Sequence, residues 1–477
     1  MRKLPYLLLL LLAACDYGSP LENQAPETQL FVESINLSGL DRLKSIVRVR
    51  WTGEDIDGYV KGYEISQDGS NWDFVTKTDS TFQFDLPFGV DTADIDFFVR
   101  AVDNQDLIDP SPAYLLLPIR NSPPEARFDT ANVVPDLVYS VWSTPWAVGD
   151  LDGLETLDSV FIRINDGAWH PLEPQTNFAS FVPTDPTSSG PQSARLFLGA
   201  EGIEQDALIE GLVVGDTNRM YLKARDISGS ESKIDSTKAF FVRRQTADLL
   251  VIDAQAASAA DDVYFPILNK VYASYDYLNL LDNLPPFWNP TFGLTLELYD
   301  KVFWYSDGTQ QSGLGSQLAM EVASTQIQNY LNQGGKIFFS AKFPNPFPNA
   351  ESPNQSTIFG FSPMDSLSSS SGQARLAKDS LAVPQGNFAS SFPPLVSGTF
   401  ITGADPFYPK DPNNDLYRGQ LTAVGGWIGP ATIAGRTVFT NGRTNQVFFS
   451  VELHKLNGDL NALEQCFDLI LNQEFNW

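Results

Sequence analysis

The sequence predicts a multidomain β + α/β chain: two β-sandwiches, then an α/β domain in three layers about a mostly parallel sheet. Three observations carry this reading. The phrase "NQAPET" at Asn23–Thr28 returns as "NSPPEA" at Asn121–Ala126, an offset of 121 − 23 = 98 residues. Each copy precedes short alternating runs rich in Val, Ile, Phe and Tyr, broken by Asp-Gly and Pro turns, which is the pattern of a sandwich. From Asp248 onward, continuous apolar strands alternate with helix-period segments, as in a parallel sheet covered on both faces.

The N-terminus comes first in order. Arg2 and Lys3 precede an apolar run from Leu7 to Leu12 and then "LAAC" at Leu12–Cys15. That is the layout of a secretory signal. The run is too short to span a bilayer, which takes about 20 apolar residues. "LAAC" resembles the bacterial lipobox. The resemblance implies a signal peptide over 1–14, a diacylglycerol on the Cys15 thiol, and a tether over 15–25. The chain would then sit in the cell envelope of a Gram-negative bacterium, on its periplasmic or cell-surface face, with the membrane as partner through the N-terminal lipid. The alternative is an ordinary signal peptide with an incidental cysteine. With Cys15 modified, Cys466 has no disulfide partner. It lies in "LNALEQCFDLILNQ", an apolar-periodic helix, where it reads as a small buried hydrophobe.

Composition narrows the partners. A chain of 477 residues with 43% hydrophobic content has room for several cores. The formal net charge is −27, and loss of Arg2 and Lys3 with the signal takes it to −29. An acidic surface repels phosphate backbones, so nucleic acid is excluded as a partner. The acidic residues are spread along the chain, as on a solvated surface.

The two sandwiches are expected over 26–120 and 121–245. Both contain Asp-x-Asp-Gly, at Asp55–Gly58 and Asp150–Gly153. Both then place an Asp-Gly turn ahead of a tryptophan, at Asp68-Gly69 with Trp72 and at Asp166-Gly167 with Trp169. Each ends in an alternating strand and a charged turn, "FFVRAVDNQ" and "MYLKARDISG". The Asn and Pro residues of the repeated phrase keep the linker extended and stop the previous strand. The run "VRWTGEDIDGYVKGYEIS…W…FFVRAVDNQ" resembles the fibronectin type III domains of bacterial envelope proteins. The second unit departs from that pattern through "PTDPTSSGPQSARLFLGAEGIEQDA", which leaves a looser immunoglobulin-like sandwich open. The resemblance implies spacer or binding modules.

The Asp-x-Asp-Gly turns raise calcium, with Asp55, Asp57, Asp150 and Asp152 as candidate ligands. An EF-hand loop needs more oxygen ligands at other spacings, and an Asx-turn opening a strand accounts for the same residues. Two His and one remaining Cys are too few for a zinc site. No cofactor is expected.

The α/β domain is expected over 246–477. Its strands are "DLLVID", "YDKVFWYS", "KIFFSA", "RTVFTNG" and "QVFFSVEL", with a helix "SQLAMEVASTQIQNYLNQGG" that Gly334-Gly335 stop. "GGK" is no phosphate loop: Tyr330 stands where the first Gly belongs and Ile337 where Ser or Thr belongs. The strand order resembles the class I glutamine amidotransferase-like fold. In that family a cysteine nucleophile follows a central strand, with His and Glu near the end. Here the corresponding position is Ser340, no cysteine is near it, and "VELH" carries Glu452 and His454 in reverse order. A Ser340–His454–Glu452 hydrolase or acyl-transfer site is one reading, since a serine needs a neighbouring base. A noncatalytic relative is the other. It has a binding site where open α/β sheets place one, beyond the carboxyl ends of the strands. Loops there carry Trp288, Phe343, Phe347, Phe407 and Tyr408, which suit stacking on a glycan or gripping a peptide or protein partner. The same side chains would equally pin long loops to the domain.

Overall fold

A computed structural model describes residues 22–32, 37–39, 42–282, 284–285, 287–309, 314, 317–343, 355–368, 370 and 372–477. Cys15 and Phe347 lie outside the described residues. Strand outweighs helix, 44% against 16%, so the chain is mostly β. Among the described residues no helix is long and apolar enough to cross a membrane. Contacts divide the chain into two compact units. One takes Met1–Glu125 with Gly149–Ser159 and Ala224–Ser232; the other takes Ala126–Val148, Val160–Lys223 and Lys233–Trp477.

The first unit is built on a β-sandwich. One sheet orders Glu27–Val32, Ile46–Glu54 and Asp79–Gln83. The other runs from two short strands through Ala113–Arg120, Thr92–Asp103 and Val60–Ser66 to Asp73–Val75. Alternation decides which side chains go between the sheets. Val47, Val49 and Trp51 point in, as do Phe97, Val99 and Leu117. Trp51 meets Tyr63 edge to face at 6.3 Å and donates its indole N–H to the Lys77 carbonyl at 2.8 Å. The Asp68-Gly69 turn forms as the sequence predicts. Asp68 accepts the amides of Ser70 and Asn71, both at 2.8 Å, and Gly69 has φ 69°.

The repeated phrase is a clasp made twice. Asn121 donates its side-chain amide to Asp226 at 2.7 Å, and the Ser122 amide donates to Asp152 at 2.5 Å. In the first copy Asn23 donates to Asp103, and the Gln24 amide donates to Asp57 at 3.1 Å. In each copy the acceptors are the Asp closing the long late strand and the second Asp of Asp-x-Asp-Gly. Burial differs sharply. Asp57 is exposed, whereas Asp152 is fully buried and takes a second amide, that of Ser45, at 3.0 Å.

The first Asp of each motif makes the Asx-turn. Asp55 accepts the Asp57 amide at 3.3 Å and Asp150 the Asp152 amide at 2.8 Å. Among the described residues no three His, Cys, Asp or Glu side chains gather as metal ligands would. The second carboxyl oxygen of Asp150 is buried without a hydrogen-bond partner. Burial pushes its pKa up to about 6, with the charges of Asp152 and Asp226 adding to the shift. A carboxyl raised in the folded state binds its proton more tightly there than in the unfolded chain. Its ionisation therefore removes stability as pH rises from about 4 to just above 6. Asp150→Asn should flatten the unit's stability over that range and raise it at pH 7.5. Urea midpoints at pH 5 and 7.5 test this; an unchanged pH difference in the variant would refute it.

In the second unit, Trp142–Gly149, Phe178–Pro183, Gly190–Leu198 and Ile203–Val214 are consecutive in one sheet. In another, the part of Leu157–Ile164 from Val160 onward neighbours the part of Met220–Asp226 up to Lys223. Trp142 stacks on Phe181 at 5.3 Å and donates to the Met220 sulfur at 3.2 Å. Within the same unit these strands meet the short helix Trp288–Phe292: Ser143 bonds Thr291, and Phe178 meets Phe287 at 4.9 Å.

Among the described residues the C-terminal sheet has nine strands. Asp276–Asn279, Leu249–Ala254, Lys301–Ser306, Lys336–Ala341 and Thr444–Phe449 are parallel in that order. Thr432–Val438, Asp415–Gly419, Leu381–Pro384 and Leu395–Val396 continue it antiparallel. The sheet is thus mixed, four parallel pairings and four antiparallel, where the sequence predicts a mostly parallel one. From Met364 to Val438 the chain returns as short strands and single helical turns, and short returns pair antiparallel. In the four central strands every residue is buried. Leu249, Val251 and Phe303 face one core with the helices Asp261–Val271 and Leu460–Asp468. Leu250, Ile252 and Trp304 face another with Ser324–Asn332. Gly334 stops that helix at φ 96°, and a Cβ on Gly335 would sit 2.4 Å from the Tyr330 ring. Cys466 is free and buried, its thiol pushed up to about 12 by burial.

Candidate functional site

The carboxyl ends of the parallel strands gather the candidate chemistry. Ser340 is the next-to-last residue of Lys336–Ala341 and is 1% exposed. Its hydroxyl lies 2.9 Å from the Tyr264 hydroxyl, which the helix Asp261–Val271 carries in. It accepts the Leu453 amide at 2.9 Å and lies 3.3 Å from the Val451 carbonyl, to which it donates. The Tyr264 hydroxyl in turn accepts the backbone amide of His454 at 2.9 Å. Ser340 is a structural knot that ties the sheet to the chain after Thr444–Phe449.

His454 comes near without joining as a base. Its ring packs edge-on against Tyr264, centroids 5.7 Å apart, and its Nδ1 is buried with no hydrogen-bond partner. Burial lowers its pKa, so the imidazole is neutral near pH 7. Glu452 turns to cations: Lys455 bonds it, and Lys342 stands 3.9 Å away. Ser340 meets the backbone on either side of Glu452, its hydroxyl and the Glu452 carboxylate are bonded to other groups, and His454 Nδ1 is bonded to neither among the described residues.

Other members of this edge escaped the sequence reading. Asp405 accepts the Phe343 amide at 3.0 Å, and burial pushes its carboxyl up to about 7. Asp253 ends "DLLVID", accepts the Tyr277 hydroxyl at 2.7 Å, and is raised by burial. An acid closing an apolar strand was a visible signal for Asp253. Nothing local marks Asp405 or Tyr264.

The aromatic candidates divide. Phe343 is 1% exposed and stacks on Phe448 at 6.2 Å; Phe407 is fully buried. Both are core residues, a correction to the expectation that they face a ligand, because each fills the core on one face of the sheet. Trp288 is half-buried against Phe292 at 5.0 Å. Tyr408 is 47% exposed and is the aromatic of the set most open to solvent among the described residues.

No known family matches the sequence, and no curated protein matches it. Among solved structures the chain is similar to the fibronectin(III)-like modules of Clostridium thermocellum CbhA. Identity there is 14% over 45% of this chain and 94% of that one, with a TM-score of 0.18. A tetra-tandem repeat from the extending region of a large adhesion protein is similar at 12% identity, over 45% and 49% of the two chains, with a TM-score of 0.19. The Bacteroides ovatus protein SGBP-B, solved with a mixed-linkage heptasaccharide, is similar at 10% identity, over 49% and 51%, with a TM-score of 0.14. At such scores these likenesses carry no argument about fold or ligand.

Proposed function

We propose that the chain is a noncatalytic binding protein of the cell envelope, anchored by a lipid on Cys15. The domains run 26–120, 121–245 and 246–477, the last an amidotransferase-like α/β domain that binds a glycan, peptide or protein partner at the carboxyl edge of its sheet. One observation carries the noncatalytic part. The Ser340 hydroxyl is bonded to Tyr264, Val451 and Leu453, and no imidazole nitrogen hydrogen-bonds to it. Without a base in reach a serine hydroxyl stays a weak nucleophile. Of the candidate aromatics, half-buried Trp288 and exposed Tyr408 retain accessible surface.

A broad serine-directed probe tests the reading. The mature chain should remain unlabelled at Ser340, and His454→Ala should leave partner binding unchanged. Tyr408→Ala should weaken binding while the thermal transition holds. Covalent labelling at Ser340 that disappears in His454→Ala would establish the hydrolase instead.

A further inference from the structure

We propose a carboxylate-binding site in the first compact unit, separate from the C-terminal edge and independent of the reading above. A cavity of about 310 Å³ lies there, lined by Lys44, Arg120, Asp91, Asn121, Ser122 and Ser230 among others. Both cations are half-buried, and among the described residues neither makes an ion pair or a hydrogen bond. Elsewhere in the same sandwich Arg42 pairs with Asp94, Arg48 with Asp79 and Arg100 with Glu64, while the exposed Arg50 has no ion pair among the described residues. In a chain of net charge −27 an acid was available to each. Two partly desolvated cations facing a polar cavity are a built receptor for negative charge.

The backbone under the cations is held firmly. Lys44 precedes Ser45, whose amide is bound by buried Asp152. Arg120 ends its strand and precedes Asn121, whose backbone amide bonds the Asp91 carbonyl at 2.9 Å and whose side chain bonds Asp226. The receptor is therefore preorganised by the clasp. Charge selects the ligand. Lys44 and Arg120 are the cations that line the cavity, and Asp91 on its wall, with Asp152 and Asp226 bonded behind Ser122 and Asn121, limits the negative charge it accepts to a single carboxylate. The guanidinium fork matches a carboxylate's two oxygens, and lysine adds a point charge. The volume admits a sugar-sized body behind the carboxylate, so a uronic acid or an acidic peptide side chain both qualify by the same chemistry.

Calorimetric titration of the mature chain at constant ionic strength tests this, with glucuronate, N-acetylglutamate amide and uncharged glucose as probes. Glucuronate or the glutamate derivative should bind, and glucose should not. Binding by glucuronate alone assigns a glycan source, and binding by the glutamate derivative alone or equally well admits peptides. Arg120→Gln and Lys44→Gln should each weaken binding at least tenfold with the thermal transition of the free chain unchanged, while Lys44→Arg should retain binding. The proposal falls if neither carboxylate binds better than glucose, or if the Arg120→Gln, Lys44→Gln double variant binds as the parent does.

Discussion

Asp152→Ala should destabilise the first compact unit by about 2–5 kcal/mol. Asp152 is fully buried, and its two oxygens accept the amides of Ser45 at 3.0 Å and Ser122 at 2.5 Å. Ser45 and Ser122 are buried too. Truncation removes the one carboxylate that holds both amides. Each such loss costs roughly 1–3 kcal/mol. Asp57→Ala is the control. Asp57 holds the same place in the first motif, but it is exposed and, among the described residues, accepts only the Gln24 amide. Water replaces that bond, and the loss should stay below about 1 kcal/mol. Urea unfolding, with amide exchange at Ser45 as a local readout, separates the two. Equal effects at the two positions would remove the clasp from the account of stability.

Cys15→Ala should abolish lipid labelling and move the chain from the membrane to the soluble fraction. The proposed anchor would act through its acyl chains; among the described residues no helix is long and apolar enough to cross a membrane. Burial of each methylene is worth about 0.8 kcal/mol, and two chains hold a protein that one holds only marginally. No other residue can take over, because the thioether needs a thiol and the remaining cysteine, Cys466, is fully buried. Its thiol, held near 12 by burial, is not a thiolate at neutral pH. Labelling that survives the substitution would end the lipoprotein reading.

Several features were legible in the sequence for local reasons. Strand alternation places Val47, Val49 and Trp51 in the sandwich core, because side chains on a strand alternate faces. The apolar runs at Leu249–Ala254 and Lys301–Ser306 read as strands buried on both faces, because no polar face breaks them. Turns at Asp68-Gly69 and the helix stop at Gly334 follow from side-chain hydrogen bonding and positive φ. The sequence offered Ser340, Glu452 and His454 as one of two readings and left their approach open.

What those residues do in the fold was not legible. The sequence shows that Asn23 and Asn121 recur at a fixed offset, but their acceptors, Asp103 and Asp226, lie 80 and 105 residues away along the chain. Phe343 and Phe407 stand in proline-rich loop sequence yet pack into the core. Ser340 has the place of a nucleophile, yet Tyr264 reaches it from a helix 76 residues earlier and takes up its hydroxyl. By itself the sequence determined which segments become strands, turns and helices, because spacing and backbone preference act between neighbours. Only the tertiary structure decided which polar atoms are already satisfied and which aromatic faces meet water, because those depend on partners that folding brings from distant parts of the chain.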